Sequence, residues 1–574
     1  MRRQSSKPNN KRLATQQSVN GVVKSICDIM RRSNCAGALQ YVPEVTWILF
    51  LRILDEQEAS EAERAEAVDS EFTPALESPY RWRDWAAPDG AKRKELQDGA
   101  TGAFMGFVNG DLIPHLKKLR QRPNATPRQK VISEIFSSVT HTRIDTERNL
   151  LDVLDKVHEI SAESVDPTHV FTLSQVCEGL LLKMGEKGND GGQFFTPREI
   201  IRAMVKVIDP KIGETVYDPG CGTGGFLAQA YEHMAGKNHA NIQSADQLET
   251  LKHRTFYGRE KDNAIYPIAL ANLVLHHIDE PHIWHGNTLT GDETYGGLFT
   301  GAPALFDVVL MNPPFGGKEG KSAQTNFAYK TGATQVLFLQ NVIASLTPTG
   351  RCGIVLDEGV LFRTNETAFV QTKRKLLDDC DLWCVVSMPG GVFTAAGAGV
   401  KTNLLFFTKG KPTEKIWYYD LSDIKVGKKT PFLLEKFDDF FRLLPQRADS
   451  ERSWTVDIVA RRDKAKAEAD PLRAQAAKLE TEAEPLREQL KALKAEKLMD
   501  SPKFVTLAEK VATLERDARE LKDKAQSIED AAYDLKAVNP NAKNQEDTRT
   551  PEELLALIES KGREVEAALA ELRA

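Results

Sequence analysis

Phe306-Asp307-Val308-Val309-Leu310-Met311-Asn312-Pro313-Pro314-Phe315 is an apolar, β-branched run halted by two consecutive prolines. Such a run reads as a buried strand, because proline has no amide hydrogen for a strand ladder and forces the chain into a rigid turn. The strand therefore delivers Asn312, Pro313, Pro314 and Phe315 at its carboxyl end, and open α/β sheets bind their ligands at that edge. An asparagine, two prolines and an aromatic ring offer fixed oxygen acceptors beside a flat stacking surface. That suits a planar substrate carrying an amino group. The same turn also has a purely structural reading, and the flanking sequence has to decide between them.

Towards the N-terminus, Thr215-Val216-Tyr217-Asp218-Pro219-Gly220-Cys221-Gly222-Thr223-Gly224-Gly225-Phe226 reads as a short strand, a glycine-dense turn and the start of a helix. Glycines at such a turn let the backbone bend tightly and approach a nucleotide-bearing ligand. A second strand over 255–260 ends in Glu260, where a carboxylate accepts hydrogen bonds from ribose hydroxyls. A third β-α unit ends in Asn287, whose amide matches the amine and ring nitrogen of an adenine. The run ending in Asn312 is then the fourth strand. Ahead of these units, Gly188 to Gly192 is glycine-rich, and Gln193-Phe194-Phe195-Thr196-Pro197-Arg198-Glu199 opens a helix with Thr196 as the expected N-cap.

Beyond the proline turn, Gly316-Gly317-Lys318-Glu319-Gly320-Lys321-Ser322 nearly imitates a phosphate-binding loop, but Phe315 stands where the first glycine is required. It reads as a mobile loop that brings Lys318 and Lys321 towards backbone phosphates. A helix over 336–346 and strands over 351–356, 383–388 and 402–408 complete a largely parallel sheet with an antiparallel pair at one edge. Ser387-Met388-Pro389-Gly390-Gly391-Val392-Phe393 forms another turn at the ligand edge.

The flanks are of a different kind. From about Ser18 to Asp166 the apolar residues follow a helical period, and Tyr80-Arg81-Trp82-Arg83-Asp84-Trp85 reads as core anchors rather than a base-stacking surface. After the sheet, Leu472, Leu479, Leu486 and Leu493 recur every seven residues, as do Leu507, Leu514, Leu521, Ile528 and Leu535. With Ala476, Ala483, Leu490, Val511, Ala518, Ala525 and Ala532 they make coiled-coil seams interrupted at Pro502. The simplest arrangement is an antiparallel hairpin with arms of about 40 Å, at about 1.5 Å per residue; the alternative is one kinked helix pairing with another chain. A final amphipathic helix is expected over 551–572.

Composition narrows the function class. The 574 residues exceed one ordinary core, and a net charge of -6 does not advertise nucleic-acid binding by the whole surface. No signal-peptide pattern and no uninterrupted membrane-length apolar run is present, and seven cysteines without C-x-x-C spacing suggest reduced thiols, so a cytoplasmic protein is expected. Cys380 and Cys384, and His276-His277, lack the spacing of a metal site and read as packing residues. No metal is expected.

The set Gly192-Gln193-Phe194-Phe195-Thr196-Pro197, Asp218 to Phe226, Asn312-Pro313-Pro314-Phe315-Gly316 and Gly399-Val400-Lys401-Thr402-Asn403 resembles the modification (M) subunits of type I restriction-modification systems. These are S-adenosylmethionine-dependent adenine-N6 DNA methyltransferases of the gamma group. The resemblance implies an α/β fold: a Rossmann-like methyltransferase domain over 167–430 with a mixed, mostly parallel sheet, an all-α domain over 1–166, and a coiled-coil helical region over 431–574. It implies that Asn312, Pro313, Pro314 and Phe315 act on a flipped adenine. It also implies that Gln193, Phe194, Phe195, Thr196, Asp218, Gly220, Gly222, Thr223, Gly224, Glu260 and Asn287 hold the cofactor. Asn287 departs from the aspartate frequent at that position, and Thr394 to Ala396 lack a further proline.

The implied partners are double-stranded DNA, a specificity (S) subunit docked on the C-terminal helices, a second M subunit, and a restriction (R) subunit where the complex also cuts. No sequence-reading DNA motif is visible in the chain itself. The runner-up activity is a protein glutamine N5-methyltransferase, which also uses Asn-Pro-Pro followed by an aromatic residue; a non-catalytic scaffold is the third.

Overall fold

The chain is described from a computed structural model covering residues 16–33, 38–67, 69–160, 196–295, 298–393, 401–427, 430–496, 499, 501–536 and 538–541. The expectations for Gln193, Phe194, Phe195, the 188–192 glycines, the 166/167 boundary, 394–400 and the 551–572 helix lie outside the described residues.

The apolar run before the proline turn forms strand β5 (Phe306–Met311) of a ten-stranded sheet. Its neighbours are β1 (Val216–Asp218) and β6 (Leu346–Asp357), both parallel to it. From β1 the chain steps outward through β2 (Phe256–Glu260) and β3 (His282–Asn287), then returns to the other side of β1 as β5. The order thus reverses at β1, and the gap beyond the carboxyl ends of β1 and β5 is a topological switch point where ligands bind.

Side chains alternate across β5. Val308 and Leu310 enter one core while Val309 and Met311 enter the other. That period-two pattern puts helices on both faces. Helices Arg198–Ile208, Gly225–Ala235 and Tyr266–Leu275 feed the first core, and Thr334–Ser345 and Thr367–Asp379 feed the second. Cys380 and Cys384 are buried in β7 (Cys380–Ser387), as the packing reading expects.

Four expectations change. A short strand β4 (Asp292–Tyr295) folds back antiparallel on β3, so the strand before Asn312 is the fifth, not the fourth. Second, the antiparallel element is not confined to one edge: β8 (Thr402–Lys409) lies between β6 and β7, antiparallel to both. Its six buried residues in succession explain this, because a strand with neighbours on both sides and helices above and below has no wet face. Third, the sheet does not end at residue 430. Strand β10 (Ser453–Asp457) pairs with β9 (Lys415–Asp420), and Phe437 and Phe440 belong to the main core, so the α/β unit runs on to the base of the C-terminal helices.

Fourth, the C-terminal helices Ile458–Ala495 and Pro502–Ala531 do form the antiparallel hairpin expected as the simplest arrangement, but with a longer first arm and a different seam. Its ion pairs Arg473–Glu529, Glu480–Lys522 and Arg487–Glu515 step in opposite directions along the two arms, which fixes the register. The first arm has 38 residues, about 57 Å at about 1.5 Å per residue, longer than expected because it starts directly after β10. Pro471 and Pro485 sit on its exposed side and do not end it. The buried seam is made by Ala469, Ala476, Ala483, Val511, Ala518 and Ala525. Small residues let the two axes approach, and this displaces the predicted seam leucines 472, 479, 486, 507, 514 and 521 to half-buried flanks.

At the other end, helices Ala38–Ala67 and Pro127–Ile135 pack on Tyr266–Leu275. Trp82 and Trp85 are buried core anchors, and Tyr80 stacks on His115 at 3.6 Å. Arg128 ties the helical region to the α/β unit: its guanidinium lies 2.8 Å from Glu61, 3.3 Å from Glu58 and 2.7 Å from Asp279 of the α/β unit. Removing one partner of such a buried network costs about 3–5 kcal/mol, because the remaining charges lose their compensation. Among the described residues no helix is long and apolar enough to cross a membrane.

Candidate active site

At the end of β1 the chain enters a turn in which Gly222 and Gly224 adopt left-handed conformations, φ +53° and +79°. A Cβ at residue 224 would also stand 3.1 Å from Leu273, so glycine is needed there twice over. The turn is held from three sides. The Gly220 amide donates to Asp218 Oδ1 at 3.0 Å, the Gly222 amide donates to Glu260 Oε2 at 3.0 Å, and Asn272 Nδ2 donates to the Thr223 carbonyl at 2.9 Å. Glu260 Oε1 also accepts from the Asp262 amide at 2.7 Å. From the end of β3, the Thr288 hydroxyl donates to the Pro219 carbonyl.

Two carboxyl groups are thereby buried side by side. Asp218 is 1% exposed and Glu260 8%. Burial pushes Asp218 up to about 8, against its bond from the Gly220 amide and reinforced by the charge of Glu260. Burial likewise pushes Glu260 up to about 7. Neither has an ion-pair partner among the described residues. A cationic ligand would supply one.

The acceptor side is built on β5. Asn312 Nδ2 donates to Thr196 Oγ1 at 3.0 Å, and Asn312 Oδ1 is buried without a partner among the described residues. Thr196 is therefore not the helix N-cap; Pro197 occupies that position, and the Thr196 hydroxyl orients the catalytic candidate instead. Phe315 meets Phe393, itself 1% exposed, edge-on at 5.6 Å between centroids. The turn from Pro389 to Phe393 noted in the sequence thus contributes a ring, which its composition alone does not reveal.

One cleft of about 970 Å³, mouth included, joins the two sides. Thr196, Asp218, Gly220, Gly222, Thr223, Glu260, Asn287, Asn312 and Pro314 all line it; Gly224, Pro313 and Phe315 are not among its lining residues. Asn287 Oδ1 accepts from the Leu289 amide at 3.0 Å, so its NH₂ rather than its oxygen is the end left for a ligand. Lys261, Asp262, Phe226 and Phe338 line the cleft unforeseen. Asp262 had a visible signal, an acid two residues past Glu260 in the same turn; the phenylalanines look like ordinary helix core.

The sequence matches the N-6 DNA Methylase family over residues 169–467 and the HsdM N-terminal domain family over residues 19–157. The first match spans more than half of the chain. The protein belongs to the N-6 DNA methylases. The type I restriction enzyme EcoEI methylase subunit of Escherichia coli is 35% identical over 467 residues, 77% of this chain and 89% of that protein. The EcoKI methylase subunit of E. coli K12 is 29% identical over 457 residues, 75% of this chain and 78% of that protein. A solved modification subunit of a putative type I restriction enzyme from Vibrio vulnificus superposes with a TM-score of 0.67 at 32% identity, covering 79% of this chain and 94% of that one. A chain from a study of type I restriction-modification assembly superposes at 0.61, also 32% identical, over 97% of this chain and 98% of that one. Membership in the N-6 DNA methylases favours a nucleobase acceptor, and the protein-glutamine alternative has no support.

Proposed function

We propose that this chain is the methylating subunit of a type I restriction-modification complex and transfers a methyl group from S-adenosylmethionine to N6 of an adenine flipped out of duplex DNA. The observation that carries the reading is Asn312, whose NH₂ is fixed on Thr196 while its buried oxygen lacks a partner. A buried acceptor left free by the protein is one prepared for a substrate donor.

The cofactor supplies a methyl group on a positively charged sulfur. Asp218 and Glu260, buried and without cations of their own, fit a cationic ligand, and the 220–224 turn brings backbone close to it. Gln193, Phe194 and Phe195 are assigned to the same side, by resemblance. The lone pair of an adenine amino nitrogen is delocalised into the ring. Asn312 Oδ1 and the Pro313 carbonyl would accept its two hydrogens and draw the nitrogen towards tetrahedral geometry, freeing the lone pair to form the new N–C bond as the methyl's S–C bond breaks and the neutral thioether leaves with that electron pair. The proton displaced from N6 leaves to water. Catalysis is then alignment and placed acceptors, with no strong base. Phe315 stacks on the base, which is out of reach inside the duplex.

Target choice belongs to a separate specificity subunit, whose helices dock on the leucine flanks of the hairpin; a second copy of this chain and a restriction subunit complete the assembly, in the cytoplasm. Co-expression with a specificity subunit encoded nearby, followed by mapping of methylated adenines, tests this. Methylated adenine at one recurring sequence is expected, and its loss in Asn312→Ala. Label appearing on protein instead of DNA would overturn the reading.

A further inference from the structure

A second pocket lies beside the acceptor turn. Strands β5 and β6 run parallel in a register that sets Met311 opposite Ile354, so the turns that follow them stand next to each other at the ligand edge. Between them sit Gly317, Lys318, Gln335, Asp357, Arg363 and Phe369. Gln335 is 3% exposed and belongs to the first turn of the Thr334–Ser345 helix. Its Oε1 accepts from the Asp357 amide at 3.2 Å, which leaves the NH₂ as the end for a ligand, and Nε2 is buried with no partner among the described residues. A buried donor without an acceptor is rare in folded proteins.

Two cations complete the pocket. Lys318 follows the Asn-Pro-Pro-Phe turn closely and is exposed, with no ion-pair partner among the described residues. Its loop is not free. Lys318 bridges to Ala333, the Glu319 amide donates to the Gly332 carbonyl at 2.9 Å, and the Thr334 amide donates to the Gly317 carbonyl at 3.2 Å. Arg363 is seated by its backbone, since buried Lys373 Nζ donates to the carbonyls of Leu361 and Arg363 at 2.7 and 2.8 Å. Its guanidinium has an exposed carboxylate partner, Glu366 at 3.3 Å, an interaction that a second anion can displace. Asp357 is committed to capping, accepting from the Val360 amide at 2.8 Å, and Glu319 accepts from the Thr334 hydroxyl at 3.4 Å.

We propose that this pocket seats a phosphodiester of the target strand next to the flipped adenine, held by Lys318, Arg363 and Gln335 Nε2; the proposal rests on the DNA-methylase reading. All three groups are donors, and a phosphate oxygen is purely an acceptor. The position fits as well. The pocket begins within two residues of Phe315, and an enzyme that rotates a nucleotide out of the stack has to hold the adjoining backbone in its turned state.

The test uses the complex with its specificity subunit and a duplex carrying the mapped site. In the Lys318→Gln/Arg363→Gln double variant, the dependence of log affinity on log salt is expected to flatten by about 0.9, for the one phosphate that is no longer neutralised. Cofactor affinity should stay near that of the parent. Replacing single target-strand phosphates by neutral methylphosphonates gives a second arm that needs no variant. Neutralising one phosphate flanking the target adenine should slow the parent complex and leave the double variant indifferent. An unchanged salt slope, or parent and variant responding alike to every methylphosphonate, overturns the proposal alone. A parent complex that methylates no duplex overturns the functional reading and this inference with it.

Discussion

The two sides of the cleft are built differently. On the side proposed for the cofactor the turn is held largely through backbone groups: glycine amides donate to Asp218 and Glu260, and Asn272 and Thr288 tie the turn to its neighbours. The acceptor side rests on the orientation of one carboxamide, one hydroxyl and a pair of rings. A turn held by backbone keeps its shape through the path of the chain, while the orientation of a carboxamide rests on single partners. Asn312→Ala should therefore lower methyl transfer by about 10²–10³-fold, the scale for losing one placed transition-state group. Calorimetric cofactor affinity should change little. Equal losses in both would mean that the two sides are one site and the contrast is false.

The carboxyl pair sharpens the same contrast through pH. Asp218, raised from the ordinary carboxylate range to about 8, and Glu260, raised to about 7, bind more protons in the folded than in the unfolded chain. Their contribution to stability is fully present below the ordinary carboxylate value and is lost as pH rises through these raised values. The ligand-free protein should therefore melt lower at pH 8.5 than at pH 6, with S-adenosylmethionine raising the melting temperature more at the higher pH. Asp218→Asn should flatten that difference and weaken the cofactor by about 10–100-fold, the worth of a charged hydrogen bond. A cofactor increment independent of pH would remove these carboxyl groups from the cofactor's charge.

Much of the cofactor side was legible because its signals are local. A glycine that needs φ +79° and an acid ending a strand are each visible within a few residues of sequence. The acceptor side was half legible: Asn312 to Phe315 announce themselves, but the partners of Asn312 and Phe315 come from Thr196 and Phe393, brought in only by the fold. Thr196 followed by Pro197 and Glu199 fits a helix cap so well that its tertiary role was hidden. The same limit explains β8, whose apolar sequence says buried without saying between which strands, and the hairpin. There, heptad leucines and alanines look equivalent until the helices come close enough to select the alanines.

Thr196 stands between the two sides and gives the smallest and most discriminating effect. Valine is nearly its shape without the hydroxyl. In Thr196→Val the Asn312 NH₂ loses the acceptor that distinguishes the two ends of the carboxamide, so the oxygen faces the adenine for only part of the time. A neutral hydrogen bond is worth about 1 kcal/mol, so kcat should fall by about five-fold, with cofactor affinity close to the parent's and activity restored in Thr196→Ser. Loss of cofactor affinity at unchanged kcat would instead place Thr196 on the cofactor side, and the orientation of Asn312 would have to come from the bound adenine itself.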